Sequence, residues 1–501
     1  MKRYDAIIVG MGPAGMSAAA ALAEHGGRAV VIDSASAPGG QLVKQIHKFF
    51  GSAEVCAGVR GIRLADRLHQ QGVRLGVEFL LDHTVYGIEA AEEGYVVYAA
   101  GEKETVSLEA PSVILATGAS ENALPFPGWT LPGVITAGAA QTLVNLYRVP
   151  CGKKALIVGA GNVGLIVAYQ LMQAGMDIEA VIEAAPEIGG YEVHANKIRR
   201  AGVPVLTGHT ILEARGGCCV EEAVIARVDR RFAPIPGTER TLAVDTVCLA
   251  VGLSPLTKLA ELSGCEIRWD SAKRQRFIAH DANMMTSRPG VFTAGDAAGV
   301  EEASIAMEEG AVAGLRAAEY LGLASADEVE AQAREREARI RAIRTVKAAP
   351  EKPAADAMPA GNRPRAVIEC YQGIPCNPCE KNCPSHAIVV GEDLSSPPVV
   401  NPELCIGCGR CVAVCPGQAC FMVGPAADGE RSEVFFPYEY LPVPRRGSRV
   451  MAADRQGNAV CEAVVNQVKT VPAYDGTYVV SLLVPKEYAG AVRGIAREGE
   501  L

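Results

Sequence analysis

"YDAIIVGMGPAGMSAAAALAEHGGRAVVID", residues 4–33, decides the fold class. An apolar run reaches a glycine cluster, an Ala-rich stretch follows, and a second apolar run ends at Asp33. That order reads as strand, tight turn, helix and strand. Gly10 permits the turn, Gly12 lets the backbone approach a pyrophosphate, and Gly15 lets the helix pack closely on the strand. Pro13 and Ala14 open the helix, at whose N-terminus free N–H groups and the dipole favour the pyrophosphate. Asp33, 23 residues after Gly10, can accept hydrogen bonds from an adenosine ribose. Basic residues before an apolar stretch also imitate a signal peptide. A nucleotide turn accounts for the glycines and a signal peptide does not.

The pattern recurs in "KKALIVGAGNVGLIVAYQLMQAGMDIEAVIE", residues 153–183, with Gly159, Gly161, Asn162, Gly164 and Glu183 at the matching places. An acidic residue at 183 favours a ribose with free hydroxyls, so NAD or another adenine nucleotide over NADP. A scaffold that binds nothing, or a nucleotide that never exchanges electrons, stays open for this second unit. Three further stretches belong with the pair. "SVILATGA" (112–119) is a buried strand ending in a Thr117–Gly118 turn, and "VCLAVGLSP" (247–255) is its counterpart in the second unit. "GVFTAGDAAG" (290–299) is a strand that delivers Gly295 and Asp296 to a turn before a helix.

The totals agree with an enzyme of this class. A chain of 501 residues exceeds one core and should divide into about three or four domains. The hydrophobic fraction of 49% and charged fraction of 21% are those of a globular protein. A net charge of −9 argues against nucleic-acid binding, which needs clustered Lys and Arg. No uninterrupted apolar run reaches the roughly twenty residues of a membrane span, so a soluble, cytoplasmic protein is expected. Eight of the 16 cysteines fall between Cys370 and Cys415, which reads as metal ligation in a reducing compartment.

Residues 3–325 resemble the two-dinucleotide-domain flavoprotein reductases, of which thioredoxin reductase is a compact example. The resemblance implies that Asp296, with Gly295, bonds the ribityl chain of FAD. It also implies that Gly40 and Gln41 of "GGQ" lie near the flavin. The helix after Asp296, taken to include Ala303, is expected to aim its N-terminus at the flavin pyrimidine ring and favour an anionic reduced form. The layout implied is α/β, with two nested Rossmann-like domains. FAD-binding segments 1–120 and 270–325 enclose an NAD-type domain at 121–269. One departure matters: residues 131–165 hold Cys151 alone, and Cys218 and Cys219 are adjacent, so no Cys-x-x-Cys dithiol lies in the second domain. Cys56, Cys248 and Cys265 read as small core residues.

Residues 326–365 read as a charged, solvated or domain-bridging helix, "ADEVEAQAREREARIRAIRTVK", followed by a Pro/Ala-rich linker. Residues 366–425 resemble a two-cluster bacterial ferredoxin. In such modules three cysteines of each run bind one cluster and the fourth binds the other. Cys405, Cys408 and Cys411 would thus share a 4Fe–4S cluster with Cys383. Cys376, Cys379 and Cys415 would hold the second, but Gly373 stands where the fourth thiolate should be. Cys370 is the natural donor, because Gly373 and Pro375 permit the loop to fold back. A three-iron cluster, no second cluster, or a buried Cys370 are the alternatives. Zinc fits the repeated spacing less well than iron–sulfur clusters do. Cys420 and Cys461 have no place in this scheme and read as structural. Residues 426–501 read as a small β domain with a docking role.

"LPGVITAGAAQTL" (131–143), "GYEVHANKIRRAGVPVLT" (191–207) and "AGDAAGVEEASIAMEEGAVAG" (294–314) look like the FAD/NAD-type large subunits of multimeric amine and imino-acid dehydrogenases. That group includes sarcosine oxidase, dye-linked proline dehydrogenase and hydrogen cyanide synthase. The resemblance implies an electron-relay subunit served by a second flavoprotein that oxidises the C–N bond. The acceptor would be ferredoxin or a quinone-linked chain. Two readings compete with this one. One is a stand-alone NADH:ferredoxin-type oxidoreductase, the other a non-catalytic subunit for nucleotide sensing or assembly.

Overall fold

The structure is a computed structural model and describes residues 2–344 and 362–497. Helices α1 (Pro13–Glu24), α2 (Asn162–Gln173), α3 (Glu192–Arg199), α4 (Ala303–Tyr320) and α5 (Ala326–Arg344) carry or face the sites discussed below. The chain divides into two compact units.

The first unit holds residues up to Phe49, then Val59–Asn122 and Gly252–Arg344. Its main sheet has five strands in the order Val291–Thr293, Ser112–Leu115, Ala6–Val9, Ala29–Ile32 and Glu78–Leu80, all parallel. Strands covered on both faces read as continuous apolar runs, and Ala6–Val9, Ala29–Ile32 and Ser112–Leu115 are buried throughout. Small residues let α1 and α4 meet closely. A Cβ on Gly310 would fall 2.1 Å from the Ala14 carbonyl oxygen, and one on Gly314 2.2 Å from that of Ala18.

The charged helix α5 differs from its expected solvated or bridging role, since it belongs to this unit and lies on α4. Its few apolar residues include Val329, Ala333, Ile340 and Ile343, all buried, and their spacing makes one stripe. Arg336 and Arg339 reach the buried Glu308 at 3.3 and 3.1 Å, and Arg344 reaches Glu309 at 2.8 Å. Carboxylates on the inner helix therefore hold what looks from sequence like a solvated charge run. Most of the Pro/Ala-rich linker lies outside the described residues.

The second unit joins Phe50–Gly58 and Ala123–Val251 to the C-terminal part of the chain. Its parallel sheet orders Val134–Thr136, Thr246–Leu249, Lys154–Val158, Asp177–Glu183 and Val205–Thr207. Two boundaries differ from the expected 1–120/121–269/270–325 division. The chain returns to the first unit at Gly252, because Leu253–Pro255 pairs with Ala119–Glu121. Residues 50–58 leave the first unit, because Phe50 packs edge-to-face against Tyr191 and His194 and the Gly51 carbonyl accepts from Asn377 N at 3.1 Å.

The C-terminal part is built on one antiparallel sheet of seven strands. Its order is Arg365–Ile368, Cys420–Pro425, Arg431–Tyr438, Tyr478–Pro485, Ala459–Lys469, Arg449–Ala453 and Gly494–Ile495. The sheet is continuous across residue 425, so the strands flanking the cysteines and those of the small β region share one core. Residues 369–419 form an excursion between its first two strands, with short helices at Pro378–Lys381 and Arg410–Val414. Among the described residues no helix is long and apolar enough to cross a membrane.

Candidate functional site

The first glycine turn has the backbone its sequence demands. Gly10 sits at φ 107°, and a Cβ there would lie 2.1 Å from the Ala116 carbonyl oxygen. A Cβ on Gly15 would lie 1.8 Å from the Gly10 carbonyl oxygen. At Gly12, which precedes Pro13 at the start of α1, a Cβ would meet nothing within 4 Å. That open space in front of a helix N-terminus fits a pyrophosphate. The Asp33 carboxylate accepts from Met11 N (2.6 Å) and Ala35 N (2.8 Å), which fixes it beside the turn. Gly39 N donates to the Met11 carbonyl at 3.0 Å, and Gly40 presses on Gly12, leaving Gln41 exposed.

The end of the chain's return into this unit closes on the same turn. A Cβ on Gly295 would lie 2.8 Å from that of Ala14. Gly295 N donates to the buried Glu309 at 3.1 Å, and Asp296 accepts from Glu301 N at 3.2 Å. Burial pushes the Asp296 carboxyl above its ordinary range. Ala303 begins α4. Thr117 donates to the Leu256 carbonyl at 2.9 Å, and Gly118, at φ 73°, has open space where its Cβ would be.

The second turn repeats the first. Gly159 is at φ 108°, a Cβ on Gly164 would lie 2.0 Å from the Gly159 carbonyl oxygen, and Gly161 faces open space. Glu183 accepts from Ala160 N and Ala185 N, both at 2.9 Å. Asn162, the first residue of α2, accepts from Tyr191 N at 2.7 Å, and Gly190 N donates to the Ala160 carbonyl at 3.0 Å. A loop before α3 is thereby laced to the turn.

The cysteines surround two cavities. One, with an empty volume of about 300 Å³, is lined by Cys383, Cys405, Cys408 and Cys411. The other, about 470 Å³, is lined by Cys370, Cys376, Cys379 and Cys415, with Cys420. The two halves repeat each other. Ala387 N donates to Cys383 Sγ at 3.2 Å and Ala419 N to Cys415 Sγ at 3.3 Å, each four residues on. His386 and Gln418, third after those cysteines, both adopt φ 51°. The neighbouring Cys420 thiol, helped by the N–H groups of Ala419, Gly417 and Gln418 and acting against burial, holds the Cys415 thiol below its ordinary range. Sulfur atoms arranged around a cavity, with N–H groups aimed at them, are a donor set suited to iron–sulfur clusters.

Cys370 reaches its cavity because the strand Arg365–Ile368 pairs with Cys420–Pro425, Ile368 opposite Cys420. Glu369 N then donates to the Ala419 carbonyl at 2.8 Å, and the Glu369 carboxylate accepts from Arg455 (2.8 Å) and Arg493 (2.6 Å). Gly373 turns the loop at φ 68°. Sequence reasoning missed three residues here. Cys420 lines the larger cavity with Cys379 and Cys415 and packs in one buried cluster with Cys405 and Cys411, so it adjoins both sets. Phe50 lines the larger cavity. Gln372 bonds to α3, at 2.7 Å from Glu192 N. Of these only Cys420 carried a signal, being a cysteine five residues past a cysteine run. Cys248 and Cys265 are buried in the cores, and Cys218 and Cys219 are exposed.

Residues 4–310 match the family described as pyridine nucleotide-disulphide oxidoreductase. Residues 373–419 match the 4Fe-4S dicluster domain, a match that begins after Cys370. An opine oxidase subunit from Agrobacterium tumefaciens is 30% identical over 355 residues, 68% of this chain and 70% of that one. Its counterpart from Rhizobium meliloti is 30% identical over 347 residues, 66% of this chain and 65% of that one. The chain thus spans less than two thirds of the latter's length. The fold also resembles that of thioredoxin reductase from T. acidophilum, with a TM-score of 0.53 at 23% identity over 63% of this chain and 98% of that one. Paired glycine turns, parallel sheets and cysteine-walled cavities agree with both family matches. The chain belongs to the pyridine nucleotide-disulphide oxidoreductase family and is a flavoprotein-type oxidoreductase with a 4Fe–4S dicluster domain.

Proposed function

We propose that this chain is the electron-relay subunit of an amine or imino-acid dehydrogenase complex. The observation that carries the proposal is the presence of two cavities, each walled by four cysteines or more, on one chain with a flavoprotein fold. When bound, a flavin takes up electrons in pairs and releases them singly, which matches a two-electron C–N oxidation to one-electron 4Fe–4S centres. The protein's part is to bind and orient each group.

In this reading FAD lies against Gly10, Gly12, Pro13, Ala14, Gly15 and Asp33, with Gly40, Gln41, Thr117, Gly118, Gly295, Asp296 and Ala303 around its remaining length. NAD or another adenine nucleotide lies against Gly159, Gly161, Asn162, Gly164 and Glu183. Cys383, Cys405, Cys408 and Cys411 hold one cluster. Cys370 completes the other with Cys376, Cys379 and Cys415. The strand pairing at Ile368–Cys420 supports that role, since it delivers Cys370 to the wall of the cavity despite its early position in sequence.

The names of the relatives, subunits of an opine oxidase, support a partner that performs the C–N oxidation. That partner is a second flavoprotein subunit. The acceptor is ferredoxin or a quinone-linked chain, and a reducing, cytoplasmic setting suits the thiolates. Glu183 at the second turn favours a second reading, a stand-alone NADH:acceptor oxidoreductase. Mixing the chain with its co-purified partner and an opine, proline or an N-methyl amino acid should bleach its flavin and then its clusters. The isolated chain should not oxidise these amines. Dye reduction by the chain alone with NADH, at roughly 1–1000 per second, and without any co-purifying partner, refutes the relay and favours the second reading.

A further inference from the structure

Two hydrogen bonds, joined through the adjacent residues Tyr191 and Glu192, link the second dinucleotide turn to the loop that follows Cys370. Asn162, at the head of α2 where a phosphate would sit, accepts from Tyr191 N at 2.7 Å. The next residue, Glu192, opens α3 and donates its N–H to the Gln372 side chain at 2.7 Å. Gln372 lies between Cys370 and Cys376. Val193 follows and lines the same cavity, and a Cβ on Gly417 would fall 2.8 Å from its Cγ2. Just past the far end of α3, Arg200 donates to the Gln418 carbonyl at 2.9 Å, three residues beyond Cys415. The α3 segment is therefore fastened at one end to the nucleotide turn and along its length to both stretches that supply thiolates.

We propose that the second dinucleotide site is an effector site for adenine nucleotides, coupled to the cluster held by Cys370, Cys376, Cys379 and Cys415, with Gln372 as the positioning residue that transmits the coupling. This rests on the nucleotide and cluster assignments of the preceding subsection. A nucleotide pyrophosphate at Gly161–Asn162 draws on the same residues that fix Tyr191 and α3. One electron added to the cluster makes its surroundings more negative, as does the bound pyrophosphate. Reduction therefore weakens nucleotide binding, and by linkage the nucleotide makes the cluster harder to reduce by the same factor.

The test uses the full-length, iron-replete, FAD-loaded protein under anaerobic conditions, with ADP as a redox-inert probe. Calorimetry gives the ADP dissociation constant for the oxidised protein and for protein reduced with dithionite, which supplies the electron. Electron paramagnetic resonance follows the midpoint potential of each cluster with and without ADP. The dissociation constant should rise about fivefold or more on reduction, with a matching potential change in one cluster only. Gln372→Leu should keep the iron content and ADP binding of the oxidised protein while bringing the ratio within twofold. Glu192→Pro is a second variant, since proline at the first position of a helix removes the N–H donor and keeps helical geometry. Equal dissociation constants in the two redox states, or an undiminished ratio in both variants, overturn the coupling. No ADP binding in either state instead overturns the nucleotide assignment at Gly159–Glu183, and the coupling with it.

Discussion

Replacing Cys370 by serine tests the least orthodox feature of the cysteine array. The cavity it lines also meets Cys376, Cys379, Cys415 and Cys420, whereas Cys383, Cys405, Cys408 and Cys411 line a separate one. No thiolate is shared between the two sets of four. The wild-type protein should therefore hold about eight irons, and Cys370→Ser about four if the cluster is lost. If three thiolates retain a three-iron cluster, the content is about seven and a new signal appears in the oxidised state. Iron and sulfide analysis with electron paramagnetic resonance of the oxidised and reduced protein distinguishes these outcomes. In each case the spectrum of the Cys408 cluster should persist, and Cys408→Ser should damage the opposite set. An unchanged content of about eight irons with an unchanged spectrum removes Cys370 from ligation. Cys420, buried in the same wall, would then be the candidate. Loss of that cluster in Cys420→Ala alone would transfer the assignment to it.

Glu309 gives a pH signature. Burial, reinforced by Glu301 and opposed by Arg344 and Gly295 N, raises its carboxyl from 4.5 to about 7. The folded state thus holds this proton more tightly than the unfolded chain. Its stabilising contribution is full below about pH 4.5 and is lost as pH rises through 7, a fall of about 1 kcal/mol between pH 6 and 8. Denaturation midpoints at those two pH values should converge in Glu309→Gln, and an equal pH slope in both proteins refutes the assignment. Glu183, fixed by Ala160 N and Ala185 N, should oppose a 2′-phosphate. Calorimetry should show NAD binding more tightly than NADP, and equal or tighter NADP binding defeats this reading.

The glycine turns were legible because each position asks for something other residues cannot give. A positive φ at Gly10 and Gly159, and helix-to-strand contact at Gly15 and Gly164, leave glycine as the answer at fixed offsets. The buried strands were legible for a related reason, since parallel strands covered on both faces show as apolar runs. The sequence hid what depends on pairing between distant segments. Ala119–Glu121 pairs with Leu253–Pro255 across the whole second domain, so the crossing at Gly252 has no local mark. The charge run of α5 hid a stripe whose importance comes from Glu308 and Glu309 on another helix. Gln372 had no motif to betray it, because a glutamine accepting one backbone N–H has no characteristic spacing.

The displaced cysteine and the bond to α3 are two consequences of one feature of the chain. A ligand at position 373, the regular place, would put the turn that begins the cysteine run directly on the cluster. Here the strand Arg365–Ile368 holds the chain through Glu369, whose N–H and carboxylate are both engaged. Cys370 therefore arrives at the cavity straight from a sheet, on a rigid support. The five residues before Cys376 no longer need to supply a thiolate. They can bend at Gly373 and present Gln372 outward to the head of α3. On the proposed assignment, a ligand three residues earlier keeps a sulfur at the cavity and releases a loop for contact with α3. A chain with its cysteine at 373 and glycine at 370 should then keep its irons but lose the dependence of ADP affinity on redox state. The double replacement Cys370→Gly/Gly373→Cys measures this directly. Retention of both the irons and the dependence would separate the two features and leave the early cysteine without a role in coupling.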